Sequence, residues 1–452
     1  MDEFRALAAK IDDPEVLASQ YLKKYYGKQI QYPVNPFKTL VDEGIMFSVR
    51  DFKRLEGVFI PASDEEDILV VGININRPIT RQRFTAAHEL CHFLRDAKRQ
   101  SCPIDGRKSD IEKYADKFAS GILMPTAELS KKVEERRKNG YVSFDDVLHI
   151  ADYFGVSFQT CVFRIAYCIH AIQGDCDSKA LRARIDTYKP DLQREQKGLR
   201  NNVALYDGLI DSYENTLKII PNDFIRNVFR NEYIFNDSRL EGVDIEIERA
   251  SEIVTDIIRK EGNSRHSSIQ DEAFLSITGH TAMYSYIFDS PPQKDCSLFE
   301  AMILNSKLFS YYPYPEFGGS IRDSNTIVIG AKFETLDHTR ILAEIGKLEQ
   351  ITKDLFLNRA NIALSNFLKG IICLHHKLTV IHPFADGNGR TLRALFNLMM
   401  VRSNLTPVCI KIEDREEYLS ALQVADRQQD YAPLVEFFYR VIIRTNAELT
   451  NT

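Results

Sequence analysis

Nine consecutive residues, His382-Pro383-Phe384-Ala385-Asp386-Gly387-Asn388-Gly389-Arg390, constrain this chain more than any other stretch. Glycines on both sides of Asn388 let successive backbone N–H groups converge on one concavity. The run that follows, Arg390 to Met400, has the apolar spacing of a helix. The loop must therefore open into a helix N-terminus whose partial positive charge faces the same concavity, which suits a phosphate. Asp386 is a hard-oxygen ligand placed to hold Mg2+ on such phosphates, and His382 is the one side chain of the loop able to take a proton near neutral pH. Arg390 and Arg393, one helical turn apart, supply planar cations for the distal phosphates. Together these residues read as nucleotide chemistry.

The string HPFADGNGR, continued by Thr391-Leu392-Arg393, resembles the HPF-x-(D/E)-GNGR-xx-R motif of the Fic family with every position filled. Upstream, Gly319-Ser320-Ile321-Arg322 leading into Thr326-Ile327-Val328-Ile329-Gly330 is similar to the family's hairpin flap, and Tyr418 to Phe438 is similar to its closing helices. The resemblance implies an all-α Fic domain with a small β-hairpin flap. It also implies transfer of AMP from ATP to a Ser, Thr or Tyr hydroxyl of a target protein, held by strand addition to the flap near Gly319 to Gly330. His382 would then deprotonate the target hydroxyl and Asp386 would hold Mg2+. The amides of Gly387 to Gly389, with Asn388, Arg390 and Arg393, would stabilise the phosphates, and Phe384 would anchor the loop. Gly389 matters because members with Lys there resemble kinases of a translation factor.

A second family feature is Asp237-Ser238-Arg239-Leu240-Glu241-Gly242, which resembles the inhibitory-helix motif (S/T)-xxx-E-(G/N) of self-restrained members. A Glu241 carboxylate paired with Arg393 would occupy the cation meant for the γ-phosphate. The departure is Asp237, four before Glu241, where the motif has Ser or Thr; Ser238 stands one place later. Family members also remove AMP, in which case Glu241 would position water, and they form homodimers that bury the inhibitory helix.

A separate signature is His88-Glu89-Leu90-Cys91-His92, inside the amphipathic run Phe84 to Lys98. On a helix, the i, i+4 spacing puts both imidazoles on one face at a separation suited to tetrahedral Zn2+, with Glu89 able to act as base on water. A second helical run supplies Glu112 as third ligand and, one turn on, Asp116 as hydrogen-bond partner for a ligating imidazole. Arg83-Phe84-Thr85-Ala86-Ala87-His88-Glu89-Leu90, Glu112 to Phe118 and Ile122-Leu123-Met124-Pro125 resemble the ImmA/IrrE family of zinc metallopeptidases. That resemblance implies an α+β zincin-like domain cutting a repressor or antitoxin protein in control of mobile elements or stress genes. Cys91, where a glycine commonly precedes the second histidine, reads as a small core residue or as a redox-sensitive inhibitor.

At 452 residues the chain exceeds one hydrophobic core, and 44% apolar with 27% charged residues is ordinary for globular domains. We therefore expect a mainly α chain with a peptidase domain over 1–172, a charged helical connector over 173–200 and a Fic domain over 201–452. Phe144 to Tyr167, broken at Gly155-Val156-Ser157, reads as a helical pair. Its second arm offers only Gln159, Thr160 and Arg164 as polar readers, and the net charge is −6, which argues against nucleic acid. Eight cysteines show no disulfide framework, and Cys161, Cys168, His170 and Cys176 match no familiar metal spacing. The charged start, Met1-Asp2-Glu3-Phe4-Arg5, and the lack of a membrane-length apolar run point to the cytoplasm. The reading that competes with a transferase effector has the peptidase as effector and the Fic part as regulator.

Overall fold

The computed structural model describes residues 2–61, 69–96, 100–104, 109–199, 202–218, 223–259, 272–289, 295–327 and 334–450. The chain divides into two compact units, Met1–Tyr213 and Glu214–Thr452. The first contains helices α1 (Asp2–Ala8), α2 (Pro14–Tyr26) and α3 (Pro36–Asp42), then strands β1 (Met46–Arg50), β2 (Leu55–Ile60) and β3 (Val70–Asn74). It continues with α4 (Ile79–Arg95), β4 (Gln100–Pro103), α5 (Asp110–Leu123), α6 (Thr126–Glu134), α7 (Phe144–Phe154) and α8 (Phe158–Arg164). Helices α9 (Ser178–Tyr188), α10 (Pro190–Gln196) and α11 (Asn202–Ser212) complete it.

The strands form one sheet in the order β1-β3-β2-β4, with β1 parallel to β3 and the other pairs antiparallel. Alternation puts Phe47 and Val49 of β1 in the core, while Val71 and Ile73 do the same on β3. Helix α4 lies against the sheet and is buried on nearly all sides from Gln82 to Leu94, more than its amphipathic pattern suggests. Gly57 of β2 makes this approach possible, because a Cβ there would press on the Thr85 methyl and stand 2.5 Å from Glu89 Oε1. Fully buried Arg83 anchors α4 by donating to the carbonyls of Val34, at 2.6 Å, and of Phe154 and Gly155 at the end of α7.

Arg164, the one cation of the α8 arm, is buried and donates to Met124 O at 2.8 Å and to Glu15, so its charge is used inside the fold. The polar stretch after Ile172 is helical and tied to α7 through Tyr188 and Lys197 to Asp145 and Arg194 to Asp152. Helix α11 belongs to this unit as well. Asn35 donates to Gly208 O at 3.0 Å, and Tyr213 Oη accepts from Val49 N at 3.3 Å. The packing break thus falls after Tyr213, beyond the compositional break at 173–200.

The second unit is helical: α12 (Asp223–Leu240), α13 (Ile247–Arg259), α14 (Glu272–Asp289), α15 (Glu300–Phe309), α16 (Ile341–Leu357), α17 (Leu364–Ile381), α18 (Asn388–Arg402), α19 (Arg415–Gln428) and α20 (Ala432–Thr450). Helix α18 is the hub, buried from Arg390 to Met400 and packed against α14, α15 and α17. Its Asn397 is fully satisfied in the core, donating to Tyr284 Oη and Val408 O and accepting from Val408 N. Of the expected flap, Val328 to Gly330 lie outside the described residues. The flanking arms are joined by Thr335 donating to Thr326 O and by Asn325 bonding Asp337 and His338. Among the described residues, no helix is long and apolar enough to cross a membrane.

Candidate active sites

In the second unit, α17 ends at Ile381, and His382 follows in the left-handed region with φ +52°, its N–H still donating to Leu378 O at 3.0 Å. A non-glycine residue holds this conformation only where its surroundings impose it. Arg322 does so. It donates through Nε to His382 O at 2.8 Å and through Nη2 to Ile381 O at 3.3 Å, while its own N–H reaches Pro383 O at 3.0 Å. Ile321 and Phe384 form a single β-bridge at the same place.

The loop is stapled internally. Asn388 Nδ2 donates to Phe384 O at 2.7 Å and its Oδ1 accepts from Phe384 N at 2.9 Å, around a Phe384 ring that is 1% exposed. Asn305 donates to Asp386 O and to Thr391 Oγ1, both at 3.1 Å. Gly387 has φ +75°, and a Cβ there would meet Leu308 and Phe309. Asp386 keeps an exposed carboxylate 3.7 Å from Arg390. Burial, and then the Arg322 cation, push the His382 imidazole below its ordinary pKa, so it stands neutral and able to accept a proton.

Arg393, one turn into α18, is held by two carboxylates. Its Nη2 donates to Glu241 Oε1 at 2.6 Å and its Nε donates to Asp237 Oδ1. Burial opposes charge on Arg393, but Asp237 and then Glu241 outweigh it and hold the guanidinium well above its usual value. Asp237 Oδ2 also lies 2.7 Å from His280 Nε2, and both residues are fully buried. Ser238 faces His280 Nδ1 at 3.3 Å instead of the arginine. Glu241 is a third exposed, and its Oε1 is the atom that a Cβ on Gly389 would meet at 2.5 Å. The carboxylate therefore rests on the glycine-rich concavity.

In the first unit, α4 and α5 converge on a different group. His88 Nε2 and His92 Nε2 are 3.1 Å apart, and Glu112 Oε2 and Oε1 stand 3.1 and 3.5 Å from them respectively. Each imidazole turns its Nδ1 to a carboxylate, His88 to Asp116 at 3.1 Å and His92 to Asp96 at 2.7 Å. With Nδ1 donating to those carboxylates, both Nε2 atoms and the Glu112 carboxylate converge on one spot, an arrangement that suits a cation. A tetrahedron with zinc–ligand bonds of about 2.1 Å has edges of about 3.4 Å, so the spacing fits zinc.

Other features bear on the same spot. Ser109 caps α5 by accepting from Glu112 N at 3.2 Å, which sets that carboxylate's place on the first turn. Glu89 is fully buried and, among the described residues, has no hydrogen-bond partner on either oxygen; burial, aided by Glu112, raises its pKa to about 7. The structure brings together His88, His92, Glu112 and Asp116, all singled out from the sequence, and adds Asp96, which was not. Cys102 of β4, also missed, brings its sulfur within 4.8 Å of ligand atoms of His88 and Glu112. Cys91 is buried beside them, and burial pushes its thiol well above its ordinary pKa.

Residues 297–400 match the Fic/DOC family, and residues 43–166 match the IrrE N-terminal-like domain, Peptidase_M78. The chain joins an IrrE-like domain to a Fic domain. Over 123 residues, 27% of the chain, it is 34% identical to protein adenylyltransferase fic-1 of Caenorhabditis briggsae, covering 23% of that protein. Over 79 residues, 17% of the chain, it is 43% identical to protein adenylyltransferase Fic of Nematostella vectensis, covering 18% of that protein. The chain thus spans less than a quarter of the length of these relatives. A Fic domain containing signaling protein from Bacteroides thetaiotaomicron aligns with TM-score 0.44 at 19% identity, over 54% of this chain and 95% of that one.

Proposed function

We propose that this chain is a bifunctional enzyme. Its Fic domain transfers AMP from ATP to a hydroxyl of a target protein under restraint by Glu241, and its IrrE-like domain is a zinc peptidase that regulates the transferase or cuts a repressor or antitoxin. The observation that carries the first part is Glu241 on Arg393, with its carboxylate against Gly389 where a phosphate would otherwise lie. A resident anion at the cation meant for the γ-phosphate admits ATP only in an unproductive pose. Once Glu241 leaves, Arg393 remains oriented by Asp237, and the amides around Asn388 receive the phosphates.

The reaction is an in-line displacement at the α-phosphorus, in which positioning and charge stabilisation dominate. Neutral His382 accepts the proton of the target hydroxyl as its oxygen bonds to phosphorus, and pyrophosphate leaves toward Arg390 and Arg393. Asp386, exposed at the loop, would hold Mg2+, which supplies charge neutralisation on the phosphates. In the other domain, His88, His92 and Glu112 would hold zinc, whose Lewis acidity activates water when bound. Glu89 is the base beside it, and Asp116 and Asp96 orient the imidazoles. We place the protein in the cytoplasm, with stress response or defence as its setting.

The test is intact-mass analysis after incubation with ATP and Mg2+, comparing the parent, Glu241→Gly and His382→Ala, alongside total metal analysis. Self-modification by AMP in Glu241→Gly, absent from His382→Ala, with one equivalent of zinc lost on replacing His88 and His92, is the expected result. Unmodified Glu241→Gly would shift the account to the alternative in which the peptidase is effector and the engaged Fic domain is regulatory or removes AMP. Zinc retained without the two histidines would refute the metal assignment.

A further inference from the structure

His88, His92 and Glu112 supply three corners of a tetrahedron, and two claimants exist for the fourth. One is water beside Glu89, whose buried carboxylate has no hydrogen-bond partner among the described residues. The other is Cys102. Its side chain is 4% exposed, and its sulfur lies within 4.8 Å of ligand atoms of His88 and Glu112. A sulfur-to-nitrogen edge in a zinc tetrahedron is about 3.6 Å, so the sulfur stands beside the ligand group and closes on it to take the fourth corner. Three protein ligands leave a catalytic site open; four close it. Thiolate is also a softer and stronger zinc donor than water.

Resting on the zinc site proposed above, we propose that Cys102 is the fourth ligand of the resting metal centre. The peptidase is then latent, and opens when this thiolate leaves the metal. On opening, the metal–sulfur bond breaks, sulfur takes a proton from solvent, and water fills the vacated corner next to Glu89. No oxidant is required. The position of Cys102 on β4, which pairs antiparallel with β2 at the sheet edge, links this release to whatever displaces that short strand. Cys91, the thiol adjacent to the second histidine in sequence, has no ligand atom in the group.

The experiment uses Co2+ as a spectroscopic replacement for zinc in the full-length metal-free chain, comparing the parent, Cys102→Ala and Cys91→Ala. The parent is expected to bind one equivalent and to show tetrahedral d–d bands together with a thiolate-to-cobalt charge-transfer band. Cys102→Ala keeps the d–d bands and loses the charge-transfer band, whereas Cys91→Ala keeps both. Acetohydroxamate, a small metal-seeking probe, shifts the d–d bands of Cys102→Ala and leaves those of the parent unchanged. The parent spectrum alone decides sulfur ligation should Cys102→Ala fail to fold. Stoichiometric Co2+ without a charge-transfer band would overturn the inference and leave the metal site standing; no Co2+ binding would overturn both. A charge-transfer band surviving in Cys102→Ala, or a parent whose d–d bands respond to acetohydroxamate, would also defeat it.

Discussion

Asp237 and Glu241 hold the same guanidinium, yet their removal should affect stability differently. Asp237 is 1% exposed, bonds Arg393 through one oxygen and His280 through the other, and both partners are themselves buried. Asp237→Ala leaves a buried cation and an imidazole without their carboxylate, which costs about 3–5 kcal/mol. For a unit of this size about 1 kcal/mol corresponds to about 2–4 °C, so the transition should fall by about 6–20 °C. Glu241 is 33% exposed, and water can replace it, so Glu241→Gly should cost only about 1–2 kcal/mol and about 2–8 °C. Calorimetry of both full-length variants with the parent, in one buffer at neutral pH, gives the comparison. A Glu241→Gly loss equal to or greater than that of Asp237→Ala would refute the division into a fixed anchor and a removable brake.

Other consequences concern the base, the metal centre and the sheet beneath it. Because the His382 pKa is lowered, the base stays neutral further into acid than an ordinary imidazole; Arg322→Ala removes one cause, so the acid limb of the rate profile should move up in pH and the rate should fall, and a limb that stays in place would count against the clamp. In metal-free protein, buried Glu89 has a folded pKa of about 7 against an ordinary 4.5, so its contribution to stability is present below about 4.5 and lost as pH rises toward 7. Glu89→Gln should therefore stabilise the metal-free chain at pH 8 by about 3 kcal/mol relative to its effect at pH 4, read from urea midpoints; equal effects at both pH values would contradict this. Gly57→Ala puts a Cβ 2.5 Å from Glu89 Oε1 and should cost about 1–3 kcal/mol in urea unfolding, whereas an unchanged midpoint would mean that α4 and β2 are less closely packed.

The parts of both sites that were legible in the sequence are those whose spacing is local. His382 to Arg393 spans a loop and one helical turn, and His88 and His92 are a turn apart on α4, so a local motif and the resemblance it carries brought each set together. Contacts between distant segments were not readable in that way. Asp237 registered only as a departure from a motif, because its partners, Arg393 and His280, come from α18 and α14. In sequence Arg322 reads only as part of a flap, and its grip on the end of α17 goes with a bridge between Ile321 and Phe384. Cys102 lay outside any motif until β4 paired with β2 and brought it beside His88. Composition marked a break at 173–200, whereas packing continues to Tyr213 because Asn35 and Val49 bond the last helix and the residue that follows it.

Whether a carboxylate on Arg393 restrains AMP transfer is decided by the initial rate of AMP incorporation in Glu241→Gly relative to the parent at saturating ATP and Mg2+. A charge-assisted pair one third exposed contributes about 1–2 kcal/mol, and about 1.4 kcal/mol is tenfold, so the rate should rise about 5- to 30-fold, and the added change His382→Ala should abolish it. A ratio at or below one, or incorporation that survives loss of His382, would contradict it.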